Sequence, residues 1–408
     1  MGLERWSQFA YRFGQYYNSA NLWNPPRLRT REWMLVPFGN KVPRRHQAFD
    51  SLKMIKKYFV ERPPSSAFYS TAYYSRPSEL KMADKGWRGA DLIFDLDGDH
   101  LPGVTDQDFS GMLNEIQNKA WELWNDYLEP EFGFEKKYLQ VTFSGHRGFH
   151  LHYRDPKLFH LDSEARRELV GHITAAGVDM KTILSPNNHS NWSKKLKSSY
   201  PNLVEKLLEI EAGDVTKDVL TSMLEEMEKV SSRSSNDGKS IKYTKKNLFD
   251  LAKKFKNQDR RNAVESGDLN RLGHRKGMDF FWVNAFRNFA MSNQGIALGA
   301  AGETDEVVTV DVKRVIRYPT SLHGKSGLRV TEFPVERLDP DTSNAFDALS
   351  ETVVFSNSEQ MHVKVTVDDI NFRILDKSFE VNSGDEVHVS EAIGTFLILK
   401  GWGIQQTK

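Results

Sequence analysis

Cysteine is missing from this sequence altogether. Its absence excludes disulfides, thiolate zinc sites, cysteine-ligated iron–sulfur clusters and thiol catalysis. No apolar stretch approaches the ~20 residues of a membrane span, so no membrane partner is expected. The opening "MGLERWSQFAYRFG" lacks the pattern of a secretory signal, and Trp6 stands where a myristoylation signal carries Ser or Thr. A cytoplasmic location is therefore expected. A large net charge is missing too, because 56 Lys and Arg nearly cancel 55 Asp and Glu. The basic residues are nevertheless clustered. Residues 27–62 carry ten Lys or Arg against three acids, and residues 231–277 thirteen against five. Such runs suit a polyanionic partner, although a solvated basic face accounts for any one of them as well.

At 408 residues the chain has room for two or three folding units. An aromatic-rich helix is predicted over residues 1–24, stopped by "NPPR". "REWMLVPF" and "RHQAF" read as strands around a Gly-Asn turn, and "FDSLKMIKKYFVER" as a helix ended by Pro63 and Pro64. "AFYSTAYYS" and "ADLIFDLD" read as strands, and "GMLNEIQNKAWELWNDYL" has the period of a helix. "KKYLQVTFSG" and "GFHLHYRD" are strands joined by a tight glycine loop. Residues 162–293 read as mostly helical and charged. Strand signals return at "DEVVTVD", followed by a short helix at "VKRVIR". The last ~70 residues alternate as strands before the apolar helix "SEAIGTFLILKGW". The expected fold class is mixed α+β. Residues 1–160 and 295–340 form its core, residues 161–294 a helical insertion, and residues 341–408 a small β-rich unit.

Alternation along "DLIFDLD" puts Leu92, Phe94 and Leu96 on one face and Asp95 and Asp97 on the other. Two carboxylates roughly 7 Å apart on a strand repel unless a positive group lies between them. Mg²⁺ or Mn²⁺, which favour carboxylate and phosphate oxygens, meets that need. Paired strand-end aspartates fraying into a turn are the bland alternative. A second rival is a haloacid-dehalogenase-type phosphatase with Asp95 as nucleophile and Asp97 as acid/base. That motif usually carries Thr after the glycine, where this chain has Asp99, although Asp368 and Asp369 could imitate its late acidic motif. A non-catalytic nucleic-acid-binding subunit is a third reading.

Two further loops bear on the choice. In "FSGHRGFHLH", Ser144, Gly145 and Gly148 make a tight turn whose amides can approach an anion, with Arg147 inside it. His150 and His152 share a strand face beyond it. A phosphate or sugar contact suits His150, and a hydrogen-bonded core position suits His152. In "RYPTSLHGKSGLRV", Arg317, His323 and Lys325 surround Gly324 and Gly327 without Walker A spacing. A basic surface turn would explain this loop alone. Together with the carboxylate pair, the two loops make a triphosphate–metal site.

The order Asp-x-Asp, then Ser-Gly-x-Arg-Gly-x-His, then Ser-Leu-His-Gly-Lys-x-Gly-Leu resembles the catalytic small subunit of archaeal and eukaryotic DNA primases, the archaeal branch more closely. The resemblance covers residues 25–160 and 295–335. It implies a primase-type fold and template-directed synthesis of short primers from nucleoside triphosphates on a single-stranded DNA template. A large regulatory subunit is the implied partner. Asp95 and Asp97 match the metal-binding pair. Ser144, Arg147 and His150 match one nucleotide loop, His323 and Lys325 the other, and Arg317 a basic residue upstream of it. Glu32 and Arg45 match an acidic and a basic contributor. Relatives supply a third carboxylate just before the His-Gly-Lys loop. Asp305 and Asp311 would share a face if "DEVVTVD" were one strand. Asp311 precedes the helix-like "VKRVIR" and is assigned to capping; Asp305 shows no such duty, and its distance to His323 resembles the family's spacing, so the resemblance assigns it to the metal. One departure is plain: relatives hold a zinc knob with cysteines, whereas here only His100 lies nearby, so no zinc is expected.

Overall fold

The computed structural model describes residues 3–39, 42–98, 106–174, 191–234, 241–273, 279–292 and 305–406. His100 lies outside them. The chain divides into two compact units, residues 1–173 with 302–408, and residues 174–301. Throughout the described residues the strands pair antiparallel, and the architecture is α+β.

The first unit opens with helix α1 (Leu3–Ser19), whose Phe9, Phe13 and Tyr17 recur at helical spacing and are buried. Strands β1 (Trp33–Val36), β2 (Arg44–Gln47) and β3 (Ser66–Ser70) form a sheet with β9 (Val315–Arg317), in the order β2-β1-β3-β9. Helix α2 (Leu52–Glu61) starts on the Ser51 hydroxyl, which accepts from the Met54 amide, and buries Ile55 and Phe59. A two-stranded ribbon, β4 (Ala72–Tyr74) and β5 (Trp87–Ala90), leads into β6 (Leu92–Asp97). That strand is the edge of a second sheet with β7 (Leu139–Phe143), β8 (Gly148–Tyr153) and β10 (Thr331–Phe333), in the order β10-β7-β8-β6. Helix α3 (Phe109–Leu123) packs on it and runs into a wider turn of π-helix over Trp124–Leu128. Helix α4 (Ser163–Ile173) anchors the strand entrance, where Arg166 donates to the Ala90 and Asp91 carbonyls at 3.1 and 3.0 Å.

The Asp91 carboxylate, just before β6, is fully buried. It accepts from Arg31 at 2.9 Å, from Arg154 at 3.1 Å and from the Tyr73 hydroxyl. Burial alone would raise its pKa, but the two guanidiniums hold it below the usual carboxylate range.

The second unit is helical, with α5 (Asn191–Ser198), α6 (Tyr200–Ala212), α7 (Lys217–Ser234), α8 (Lys245–Lys254), α9 (Gln258–Glu265) and α10 (Asp279–Ser292). Its core joins Leu203, Leu207, Leu251, Phe255 and Phe286. Within its basic run, Lys256 pairs with Glu211 at 2.8 Å and Lys254 lies over the Trp282 ring.

The segment "DEVVTVD" is not a strand. Residues Glu306–Val310 form a short helix, α11, because the Asp305 carboxylate accepts from the amides of Val307 and Val308 and starts a turn that the β-branched residues alone would not choose. Asp311 ends this helix, and its side chain caps a turn at the Lys313 amide, 2.8 Å away. The predicted helix at "VKRVIR" is that turn followed by β9, held by pairing with β3.

The C-terminal residues belong to the first unit. After the short helix α12 (Ala348–Glu351) come β11 (Gln360–Val365), the hairpin β12 (Ile370–Ile374) and β13 (Lys377–Val381), β14 (Glu386–Ser390), helix α13 (Glu391–Lys400) and β15 (Gly403–Gln405). Helix α13 is apolar on all sides and therefore buried, resting on β11, β14 and β15. Strand β12 meets the start of α3 through hydrogen bonds from Asn371 to Gln107 and from Arg373 to Ser110.

Candidate active site

Strand β6 ends in two carboxylates of unequal exposure: the Asp95 side chain is 18% exposed and that of Asp97 is 42%. Pairing with β8 sets Asp95 opposite His150 and Asp97 opposite Gly148, and on the next strand Thr142 lies opposite His150. Asp95, His150 and Thr142 thus form one row across three strands. Gly148 is required there, since a Cβ would come within 2.6 Å of the Leu96 carbonyl. The expected separation of faces along β6 is only partial, because Ile93 is as buried as its neighbours Leu92 and Phe94.

His150 Nε2 lies 3.3 Å from Asp95 Oδ1. Burial, reinforced by Arg317, pushes the His150 pKa down to about 3, so a neutral ring rather than an imidazolium makes this contact. Its Nδ1 is buried without a hydrogen-bond partner among the described residues. Arg147 Nε lies 3.4 Å from Asp97 Oδ1. Arg317, on β9, is packed over the Phe68 ring. Burial lowers its pKa to about 10 while Asp95 and Asp97 pull it up, which places the guanidinium in the field of both carboxylates and leaves it charged at neutral pH. His152 has a core role, sharing a 3.2 Å hydrogen bond with Thr142.

The glycine loop between β7 and β8 is closed from within. Ser144 Oγ accepts from the amides of Gly148 (3.1 Å) and His146 (3.4 Å), so Ser144 shapes the loop and takes up two of its amides. The second loop docks onto the first. Gly145, at φ +83°, lies against the His323 side chain and the Leu328 carbonyl, and the Ser326 hydroxyl donates to the Gly145 carbonyl. His323 Nδ1 accepts from the Lys325 amide at 3.1 Å. A backbone N–H only donates, and burial keeps this ring neutral, so its proton sits on Nε2, a donor available to an anion. Lys325 is exposed beside it. Thr320, at the base of this loop, holds φ +68°, a strained setting for a β-branched residue. Hydrogen bonds from Trp23 to its hydroxyl and from Tyr16 to its carbonyl fix it there.

Two residues went unseen in the sequence. His146 lies inside the quoted loop and stacks on His323, with ring centroids 4.8 Å apart and planes 9° apart. Lys400, from α13, reaches His146 Nε2 at 3.3 Å. A histidine in a glycine turn was visible; a lysine ending an apolar helix gave no signal of a buried destination.

Asp305 comes near the pair through its backbone, whose amide donates to the Asp95 carbonyl at 2.8 Å, while its side chain caps α11. Glu32 and Arg45 form a separate cluster. The buried Glu32 carboxylate meets Arg45 at 3.2 Å, His46 at 3.3 Å and Lys85 at 3.5 Å, on the far side of β3 from Arg317. Among the described residues no three His, Asp or Glu side chains converge as a ready cation cage. Asp95 and Asp97 nonetheless offer hard oxygen donors, and a cation held by two carboxylates and completed by substrate phosphates and water is the habit of Mg²⁺. The donors fit such an ion.

Carboxylates at a strand end, beside two interlocked loops of Arg, His and Lys donors, are suited to a cation and the phosphates of a nucleotide. Residues 94–335 match the model of the family described as "DNA primase small subunit". The chain is 31% identical to the DNA primase small subunit of Methanothrix thermoacetophila, over 96% of both chains. It is 34% identical to that of Methanoregula boonei, again over 96% of both. It is 32% identical to that of Methanocorpusculum labreanum, over 96% of this chain and 95% of that one. The chain belongs to the DNA primase small subunit family. The matched span contains Asp95, Asp97, Ser144, Arg147, His150, Asp305, Arg317, His323 and Lys325, and leaves out Glu32 and Arg45.

Proposed function

We propose that this chain is the catalytic subunit of a DNA primase, working in the cytoplasm with a large regulatory subunit. It builds short primers from nucleoside triphosphates on single-stranded DNA by two-metal-ion nucleotidyl transfer. The juxtaposition of the partly exposed Asp95–Asp97 pair with the interlocked 144–148 and 323–328 loops carries this reading. Mg²⁺ or Mn²⁺ bound there would activate the primer 3′-hydroxyl and neutralise charge on the leaving pyrophosphate. Asp95 and Asp97 would supply its oxygen ligands, and Asp305, which caps α11 through Oδ1, would offer Oδ2 as a third. Arg147, His323 and Lys325 hold the triphosphate. Arg317 offsets the charge of the pair. His150 keeps Asp95 oriented by donating from Nε2, which leaves Nδ1 as an acceptor for a sugar hydroxyl. Ser144 fixes the loop that carries Arg147. Glu32 and Arg45 act from the β1–β2 edge on the nucleotide or template. Residues 1–160 and 295–340 make the catalytic core, with residues 161–294 inserted and 341–408 appended.

The test is pyrophosphate release from the full chain with Mg²⁺ or Mn²⁺, a single-stranded template and nucleoside triphosphates. Release that requires both template and triphosphate supports the proposal. Phosphate release from simple esters without template would favour a phosphohydrolase. Template binding without turnover would favour a non-catalytic subunit.

A further inference from the structure

Lys400 ends α13, well beyond the matched span of residues 94–335. Its side chain is 1% exposed, an expensive setting for an ammonium unless every contact is supplied. The contacts are supplied. Asp106 accepts from Nζ at 2.6 Å, His146 Nε2 lies at 3.3 Å, and the rings of Phe109 and Trp402 lie 4.5 and 4.6 Å from Nζ. A buried lysine used only to fasten α13 to Asp106 would not need an imidazole as its second polar partner. His146 in turn stacks on His323.

The hydrogen bonds fix both tautomers. An ammonium has no lone pair, so His146 Nε2 accepts and, with that ring neutral, its proton resides on Nδ1. His323 Nδ1 accepts from Lys325, so its proton resides on Nε2. Lys400 therefore holds one ring, that ring backs the second, and the second presents its donor to the nucleotide site. The charge works in the same direction. Burial, helped by Arg147 and Lys325 and opposed by Asp106, brings the Lys400 pKa down to about 8, so its ammonium stands in the field of the two loops' cations.

We propose that Lys400 is a positioning residue of the nucleotide site, fixing the His146–His323 stack from the C-terminal helix through its contact with His146 Nε2. This rests on the two loops being the nucleotide site. It makes the C-terminal segment a working part of that site rather than an appendage.

The experiment measures steady-state primer synthesis by the full chain at saturating template, alongside thermal unfolding. The variants are Lys400→Met, which keeps the stem and removes the charge, His146→Asn, and both together. The expected result is a rise in KM for nucleoside triphosphate of about tenfold or more in each single variant, with kcat within about twofold. The double variant should rise no further than the worse single one, since both changes break one chain of contacts. A lysine that only fastens α13 would lower the unfolding temperature and leave KM alone. Wild-type KM in folded Lys400→Met, or multiplied effects in the double variant, would overturn the inference. If Lys400→Met does not fold, His146→Asn decides, since it leaves the Lys400–Asp106 pair intact; an unchanged KM there overturns the inference too. Arg147→Ala and Lys325→Ala separate the positioning role from the nucleotide site itself. If they raise KM and the Lys400 and His146 variants do not, only the positioning role fails. If none does, the nucleotide-site reading itself fails.

Discussion

Asp91 lies just before β6, and Asp95 and Asp97 lie at its far end. At the near end one carboxylate is fully buried and meets two guanidiniums and a phenol. At the far end two carboxylates share Arg147, Arg317 and a neutral His150, at looser distances and with water in reach. The near end is saturated, so nothing is left for a ligand, and its carboxylate locks β6 to the surrounding strands. The far end is partly exposed and sets an anionic field beside donor-rich loops. The same residue type along one stretch of chain therefore does structural or chemical work according to whether it is sealed from solvent or open to it.

The largest difference should appear when each end loses its charge. Asp95→Asn or Asp97→Asn should lower primer synthesis on the order of 10³-fold, because both are asked to hold the metal ions. Their unfolding temperatures should stay near wild type. Near-normal synthesis by Asp95→Asn in Mg²⁺ or Mn²⁺ would erase the contrast.

Asp91→Asn should do the reverse, costing about 3–5 kcal/mol of stability by leaving Arg31 and Arg154 buried against an uncharged partner. Chemical denaturation measures it. A loss below ~1 kcal/mol would mean that the near end is not the anchor described.

Acid should act mainly through the histidines. His146, His150, His152 and His323 are buried, and burial drives their pKa well below the free value. Below pH ~6.5 the unfolded chain binds protons that the folded chain refuses. Stability is thus full above that pH and falls as pH drops, by about 1.4 kcal/mol per unit for each histidine. Denaturant midpoints between pH 7.5 and 5.5 check the slope, and a flat profile would contradict it.

The smallest effects separate the two outlying aspartates. Asn caps a helix nearly as well as Asp, so Asp305→Asn should change stability by a few tenths of a kcal/mol and still lower synthesis about tenfold. Asp311→Asn should leave both close to wild type. Loss of synthesis in Asp311→Asn, with Asp305→Asn active, would reverse their roles.

Much of this was legible in the sequence. The alternation of "DLIFDLD" put Asp95 and Asp97 together, and the glycines of the first loop marked a tight turn, where Gly145 holds φ +83° and Gly148 leaves no room for a Cβ. The segment 305–311 misled because its valines favour strands while the force deciding it, the Asp305 side chain on two amides, is local and polar. Glu32 was legible as an acid beside a strand, but not its capture by Arg45, His46 and Lys85. The Asp91 cluster and Lys400 were invisible for one reason. Each depends on partners far apart in the chain, and only the assembled strands and helices make a buried charge affordable.

The central claim is that Asp95 and Asp97 hold divalent cations for a nucleotide. Electron paramagnetic resonance of free Mn²⁺, titrated into the full chain with a non-hydrolysable nucleoside triphosphate, tests it most directly. The account predicts uptake of Mn²⁺ that falls to the level of the triphosphate alone in Asp95→Asn and Asp97→Asn, with Asp91→Asn binding as wild type at temperatures where it is folded. Undiminished uptake by the Asp95 and Asp97 variants would contradict it.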